Sequence, residues 1–107
     1  MVGCLPGEID RAISVNDVLI RLPEERWEHI IDSHFDLKNY REDILDVIEN
    51  PDAVYRGRSG SLIAIRSLGR CGFLAIFYRE TSQQDGFVIT ARFIDNRPGG
   101  EKVWPKQ

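Results

Sequence analysis

A chain of 107 residues with a net charge of −3, 42% hydrophobic and 29% charged, has the balance of one ordinary globular domain with a single modest core, and neither a fibrous nor a disordered composition. No apolar run approaches the roughly 18 residues that a membrane crossing needs, and the start lacks a basic stretch followed by an apolar one, so a cytoplasmic protein without a membrane partner is expected. Two cysteines, Cys4 and Cys71, have neither the number nor the spacing of a disulfide framework or a zinc site; free thiols, no metal and no cofactor are expected.

The net charge hides a division. Residues 1–53 hold 13 carboxylates against 5 cations, and residues 54–107 hold 4 against 9. Solvated helices account for the acidic half, whereas an arginine-biased sheet fits an anionic ligand.

Residues 1–13, with Gly3, Pro6 and Gly7, are expected to form a flexible N-terminal arm. Val18–Leu22 reads as an edge strand leading into a helix, with Pro23 in the first turn and Glu24 and Glu25 where the helix dipole favours negative charge. Trp27, Ile30, Ile31 and His34 recur at i, i+3, i+4 and i+7 and mark the buried stripe, with His29 off it. A second helix is signalled by Tyr40, Ile44, Val47 and Ile48, with Asp36 as a possible cap and Asn50-Pro51-Asp52 as its stop. The period then changes to two, through residues 53–58, 61–68, 73–79 and 87–95, separated by turn residues at Gly57/Gly60, Gly69-Arg70-Cys71-Gly72 and Ser82–Gly86. One domain over 14–97 is expected, followed by a flexible tail over 98–107.

If Arg70-Cys71 is the hairpin tip, Leu68 opposes Phe73 and Ala64 opposes Phe77. Alternation then assigns Ile63, Ile65, Leu74, Ile76, Phe87, Ile89, Ala91 and Phe93 to the helix-packed side, and Arg66, Arg79, Thr90 and Arg92 to the other. With Ala75 opposite Thr90, Arg66 and Thr90 stand about 10 Å apart, a span that a phosphodiester bridges. Arginines on an open sheet face are also commonly no more than solvated.

His29 and His34 are five helical positions apart, about 140° around the helix, and cannot chelate one metal from the same side. His34 also suits the plain role of a core-edge residue satisfying the last helix carbonyls. His29 has Glu25 and Asp32 one turn away on either side, a setting that suits proton transfer and is equally common on exposed helices. RNA cleavage by the 2′-hydroxyl needs a base, an acid and cationic groups at phosphorus. His29, His34 and Thr90 are the catalytic candidates; Arg66, Arg92, Arg79, Arg56 and Tyr78 are the phosphate- and RNA-binding candidates. The chain has no P-loop or dinucleotide glycine pattern and no nucleophile elbow.

The runs Leu22-Pro-Glu-Glu-Arg-Trp-Glu-His-Ile-Ile-Asp-Ser-His-Phe, Ile48-Glu-Asn-Pro-Asp-Ala-Val-Tyr-Arg and Gly86-Phe-Val-Ile-Thr-Ala-Arg-Phe resemble the phage- and mobile-element-associated branch of the barnase/EndoU/colicin/RelE-like (BECR-fold) nucleases over about residues 18–97. The motif maps onto Trp27, His29, Ile30 and His34, and onto Thr90 and Ala91; Phe35 stands where relatives have proline. The resemblance implies an α+β fold, an N-terminal strand and two helices packed on one face of a four-stranded antiparallel sheet. It further implies a metal-independent endoribonuclease of toxin type, with RNA as substrate and an antitoxin or neighbouring protein as partner. The alternative is a non-catalytic nucleic-acid- or protein-binding module, part of a toxin–antitoxin or phage-derived system.

Overall fold

A computed structural model describes residues 10–106. The expected flexible arm therefore lies largely outside the described residues, as does Cys4. Seven strands and two helices follow in the order β1 (Asp10–Ile13), β2 (Leu19–Leu22), α1 (Glu24–Ser33), α2 (Arg41–Glu49), β3 (Ala53–Arg56), β4 (Leu62–Ser67), β5 (Phe73–Glu80), β6 (Asp85–Ile94) and β7 (Lys102–Trp104). They make one mixed sheet in the order β1-β2-β6-β5-β4-β3-β7.

The expectation of a four-stranded antiparallel sheet is thereby corrected. β2 is no edge strand: it pairs antiparallel with β1 and parallel with β6, through Leu19↔Asp85, Ile20↔Gly86 and Arg21↔Phe87. That parallel pair joins segments more than 60 residues apart, and two local features hold it. Arg21 forms an ion pair with Asp85 at 2.7 Å. Gly86 lets the strands close up, because a Cβ there would collide with the Arg79 carbonyl and lie 2.8 Å from Ile20 Cδ1. At the far edge, Lys102–Trp104, read from sequence as tail, pairs with β3.

Pro23 caps α1 at φ −64°, and its missing N–H costs nothing at a helix start. Trp27 and Ile30 bury the inner stripe of α1, and Ile44, Val47 and Ile48 that of α2. Both helices pack on one side of the sheet, over Ile20, Leu22, Val54, Ala64, Leu74, Ile76, Tyr78, Val88 and Ala91. Arg41 joins the N-terminal ends of both helices to β1, donating to Asp10 at 2.6 Å and to Glu24 at 2.8 Å with its guanidinium over the Trp27 ring.

The other side carries a second, smaller core of Ala53, Tyr55, Ile63, Ile65 and Ala75, with Phe73, Phe77 and Ile94 packed against it. Residues 95–101 cross this side from β6 to β7 as a strap. Arg97 in the strap stacks over Phe73 and donates to the Tyr55 hydroxyl at 3.3 Å.

The β4–β5 register differs by one residue from the expected hairpin. Ser67 pairs with Phe73 and Arg66 with Leu74, leaving a five-residue turn, Leu68–Gly72, in which Gly69 and Gly72 adopt φ +67° and +87°. A one-residue slip exchanges the two faces of a strand. Ile63 and Ile65 therefore fall on the strap side, and Arg66 on the helix side. There Arg66 binds the end of α2, donating to the Asp46 carboxylate at 2.8 Å and to the Asp46 and Asn50 carbonyls at 3.1 and 2.7 Å. A cation closing the last carbonyls of a helix is favourable both by hydrogen bonding and by the dipole.

Arg66, hydrogen-bonded to Asp46, holds that carboxyl below its ordinary range. Because the folded value is depressed, the resulting stability is present at neutral pH and is lost as pH falls below 3.8, the ordinary value, through the depressed one. Arg66→Ala is expected to lower stability in urea melts at pH 7 by about 1–2 kcal/mol, the gap to the parent narrowing on acidification below that point. An equal gap at pH 7 and pH 3 would show that the ion pair contributes nothing.

Candidate functional site: an arginine face bordered by a histidine cleft

Pairing sets the second side out in rows. Arg21 of β2, Phe87 of β6 and Arg79 of β5 lie side by side, Arg21 and Arg79 being two strands, or about 10 Å, apart. Next along β6 comes Thr90, opposite Phe77, and then Arg92, opposite Ala75. A bulge separates the first row from the others: Val88 pairs with Tyr78 and Thr90 with Phe77, leaving Ile89 as the extra residue. Thr90 thus stands on the second side between Phe87 and Arg92.

Two clefts open along this line. One, of about 810 Å³, lies between the strap and the sheet, lined by Arg56, Arg58, Arg92, Ser61 and Phe77, with Gly99 and Gly100 of the strap. The Arg92 guanidinium sits over the Phe77 ring at 4.9 Å, a cation–π contact that leaves its N–H groups free for an anion. Arg58 and Arg92 have no carboxylate partner among the described residues, whereas Arg56 lies 3.4 Å from Glu101. Alternating aromatic and guanidinium groups of this kind suit a single nucleic-acid strand, with rings stacking on bases and cations tracking phosphates.

The second cleft, of about 420 Å³, forms where β2 leaves the sheet for α1 and β6 continues without it. Arg21, Pro23, Glu25, Arg26, His29 and Phe87 line it. The His29 imidazole is exposed and makes no hydrogen bond among the described residues. Arg21 donates to Asp85, while its Nε is buried and has no hydrogen-bond partner among the described residues. Because Arg21 and Phe87 belong both to this cleft and to the first row of the sheet, the cleft opens onto the arginine face.

The structure thus divides the residues singled out from sequence. His29 lines one cleft and Arg56 and Arg92 the other, whereas Arg79 and Thr90 share the second side of the sheet without lining either cleft, Arg79 donating to the Ser59 carbonyl. His34 caps α1 through its backbone, its N–H donating to the Ile30 carbonyl at 2.7 Å, and lines neither cleft. Tyr78 is fully buried on the helix side; burial, helped by the charge of Glu80, pushes its phenol well above the ordinary range, and its hydroxyl has no partner among the described residues. Arg66 is spent on α2, so the expected Arg66–Thr90 pairing across one face does not exist. Sequence reasoning missed Arg21, Arg26 and Arg58. The only signal for Arg26 was its position three before His29, one helical turn away.

Among the described residues no helix is long and apolar enough to cross a membrane, and no three His, Cys, Asp or Glu side chains cluster as a metal-ligand set. Comparison with protein-family models, with curated proteins and with solved structures finds no match for this chain.

An exposed imidazole without hydrogen bonds contributes little to folding. His29→Ala is expected to unfold within about 0.5 kcal/mol of the parent in urea. A loss several times larger would assign His29 a structural role and remove it from the site.

Proposed function

We propose that the chain binds single-stranded RNA on its arginine face and cleaves it by attack of the ribose 2′-hydroxyl on the adjacent phosphorus. The observation that carries this reading is the cleft in which the His29 imidazole meets Arg21 and Arg26 at the margin of the Arg21–Phe87–Arg79 row. In the proposed step His29 accepts the 2′-hydroxyl proton as the 2′-oxygen bonds to phosphorus. The bond from phosphorus to the 5′-oxygen breaks, and that oxygen takes a proton from water, giving a 2′,3′-cyclic phosphate and a 5′-hydroxyl. Arg21 and Arg26 stabilise the charge gathering on the phosphoryl oxygens, and Thr90, next along β6, orients the strand. The reaction requires no metal. The likeness of Trp27-Glu28-His29-Ile30 and Thr90-Ala91 to toxin-type endoribonucleases supports the same reading, and extends the proposal to a neighbouring inhibitory protein that covers the arginines.

A second reading, binding without cleavage, is favoured by one observation: Arg58 and Arg92, without a carboxylate partner among the described residues, line the strap cleft, and neither histidine does. The two readings part in one experiment, incubation of a single-stranded oligoribonucleotide with EDTA-treated protein. Cleavage is expected to yield cyclic-phosphate ends and to fall by about 10²–10⁴ in His29→Ala, with affinity little changed. Arg58→Ala and Arg92→Ala are expected to weaken binding and to reduce the slope of log affinity against log salt by about 0.7 for each phosphate that is no longer neutralised. RNA bound but never cut establishes the binding module, and RNA neither bound nor cut overturns both readings.

A further inference from the structure

A third cleft, of about 720 Å³, lies between the β1–β2 turn, the start of β4, the end of β5 and β7, and meets the strap cleft at Arg56. It opens on the helix side of the sheet. Leu62 of its floor pairs with Tyr78, and Trp104 of its wall pairs with Val54, both core residues of that side. Leu62, Trp104, Val15 and Val103 give it an apolar interior, while Glu80, Lys102 and Lys106 stand among them.

The charged groups differ in what they still need. Glu80 is fixed in place: its Oε2 accepts from Ser14 Oγ at 2.6 Å and from Asn16 at 3.2 Å, and its Oε1 accepts from Asn16 alone at 3.1 Å. One Glu80 oxygen thus keeps a lone pair for an N–H donor. Glu101, also in the wall, lies against Arg56 at 3.4 Å. Lys102 and Lys106 have no carboxylate partner among the described residues. The unmet demands are a flat ring for the indole and the aliphatic floor, an N–H for Glu80 and an anion for the two ammonium groups. The volume is that of a small-molecule site.

We infer that this cleft is a mononucleotide site selective for an amino-bearing purine, with the base stacked on Trp104, its exocyclic amine donating to Glu80 and its phosphate held by Lys102 and Lys106. The site borders the strap cleft at Arg56 but contains neither His29 nor Arg92, and the groups that would hold the ligand, Trp104, Glu80, Lys102 and Lys106, line neither cleft of the arginine face.

Calorimetric titration of the full chain with AMP, UMP and inorganic phosphate tests it. AMP is expected to bind with Kd below about 1 mM, UMP about tenfold more weakly for want of the amine, and phosphate more weakly still. Trp104→Ala, and separately the exposed pair Lys102→Ala/Lys106→Ala, are each expected to weaken AMP binding about tenfold. The lysine pair serves as the decisive variant if Trp104→Ala fails to fold. Glu42→Ala, at an exposed position of α2 outside all three clefts, leaves AMP binding unchanged. No heat from AMP up to about 10 mM, equal affinity for AMP and inorganic phosphate, or AMP binding that survives loss of both lysines but not of Arg92 would overturn the assignment.

Discussion

The pairing of Ile65 with Ala75, and of Ala75 with Arg92, decides which side of the sheet Arg66, Arg79 and Arg92 face. Side chains alternate along paired strands except at the Ile89 bulge, so this register carries Arg79, Thr90 and Arg92 to the side opposite the helices and commits Arg66 to the helix side. Both assignments are stabilised by what they meet. Arg66 finds the end of α2, where the backbone offers unpaired carbonyls. Arg92 finds the Phe77 ring beneath a strap of little bulk.

The parallel β2–β6 pair supplies the rest of the site. By inserting β2 beside β6, it sets Arg21 in line with Phe87 and Arg79, and it makes the chain turn from Leu22 into α1 next to β6. The imidazole of His29 therefore reaches the margin of the arginine face although the helix that bears it packs on the other side. A purely antiparallel four-stranded sheet has no such crossing point, and on it the helix histidines and the sheet arginines would stay apart. The sheet alone accounts for binding of a strand; the crossing point is what adds a proton-transfer group.

The helices and the later strands were legible because their signals are local. Trp27, Ile30 and Ile31 show helical period, Pro23 and Asn50-Pro51 punctuate the ends, and β-rich runs with turn residues between them mark β4, β5 and β6. The face assignment was not legible. Both sides of the central strands are apolar, since Ile63 and Ile65 bury under the strap while Ala64 and Leu74 bury under the helices, so alternation had no polar side to report. A five-residue turn in place of a shorter one then moved the register by one, and with it Arg66. The parallel pair and β7 escaped notice for another reason. They join segments distant in sequence through three residues at most, and the features that hold the parallel pair, Arg21–Asp85 and the close approach at Gly86, have no local pattern. Of the site, His29, Thr90 and Arg92 could be read from residue type and motif, whereas Arg21 and Arg26 become visible only once α1 is seen against β6.

Cleavage requires a single RNA strand to lie along β6 on the strap side and to reach the His29 cleft. Amide and side-chain NMR shifts of the labelled chain, titrated with a short single-stranded oligoribonucleotide, report that path residue by residue. The expected shifts concentrate on Arg21, His29, Phe77, Phe87, Thr90 and Arg92, with the outer face of α2 silent. Shifts confined to α2, or a titration that leaves both His29 and Arg92 unmoved, would rule the path out.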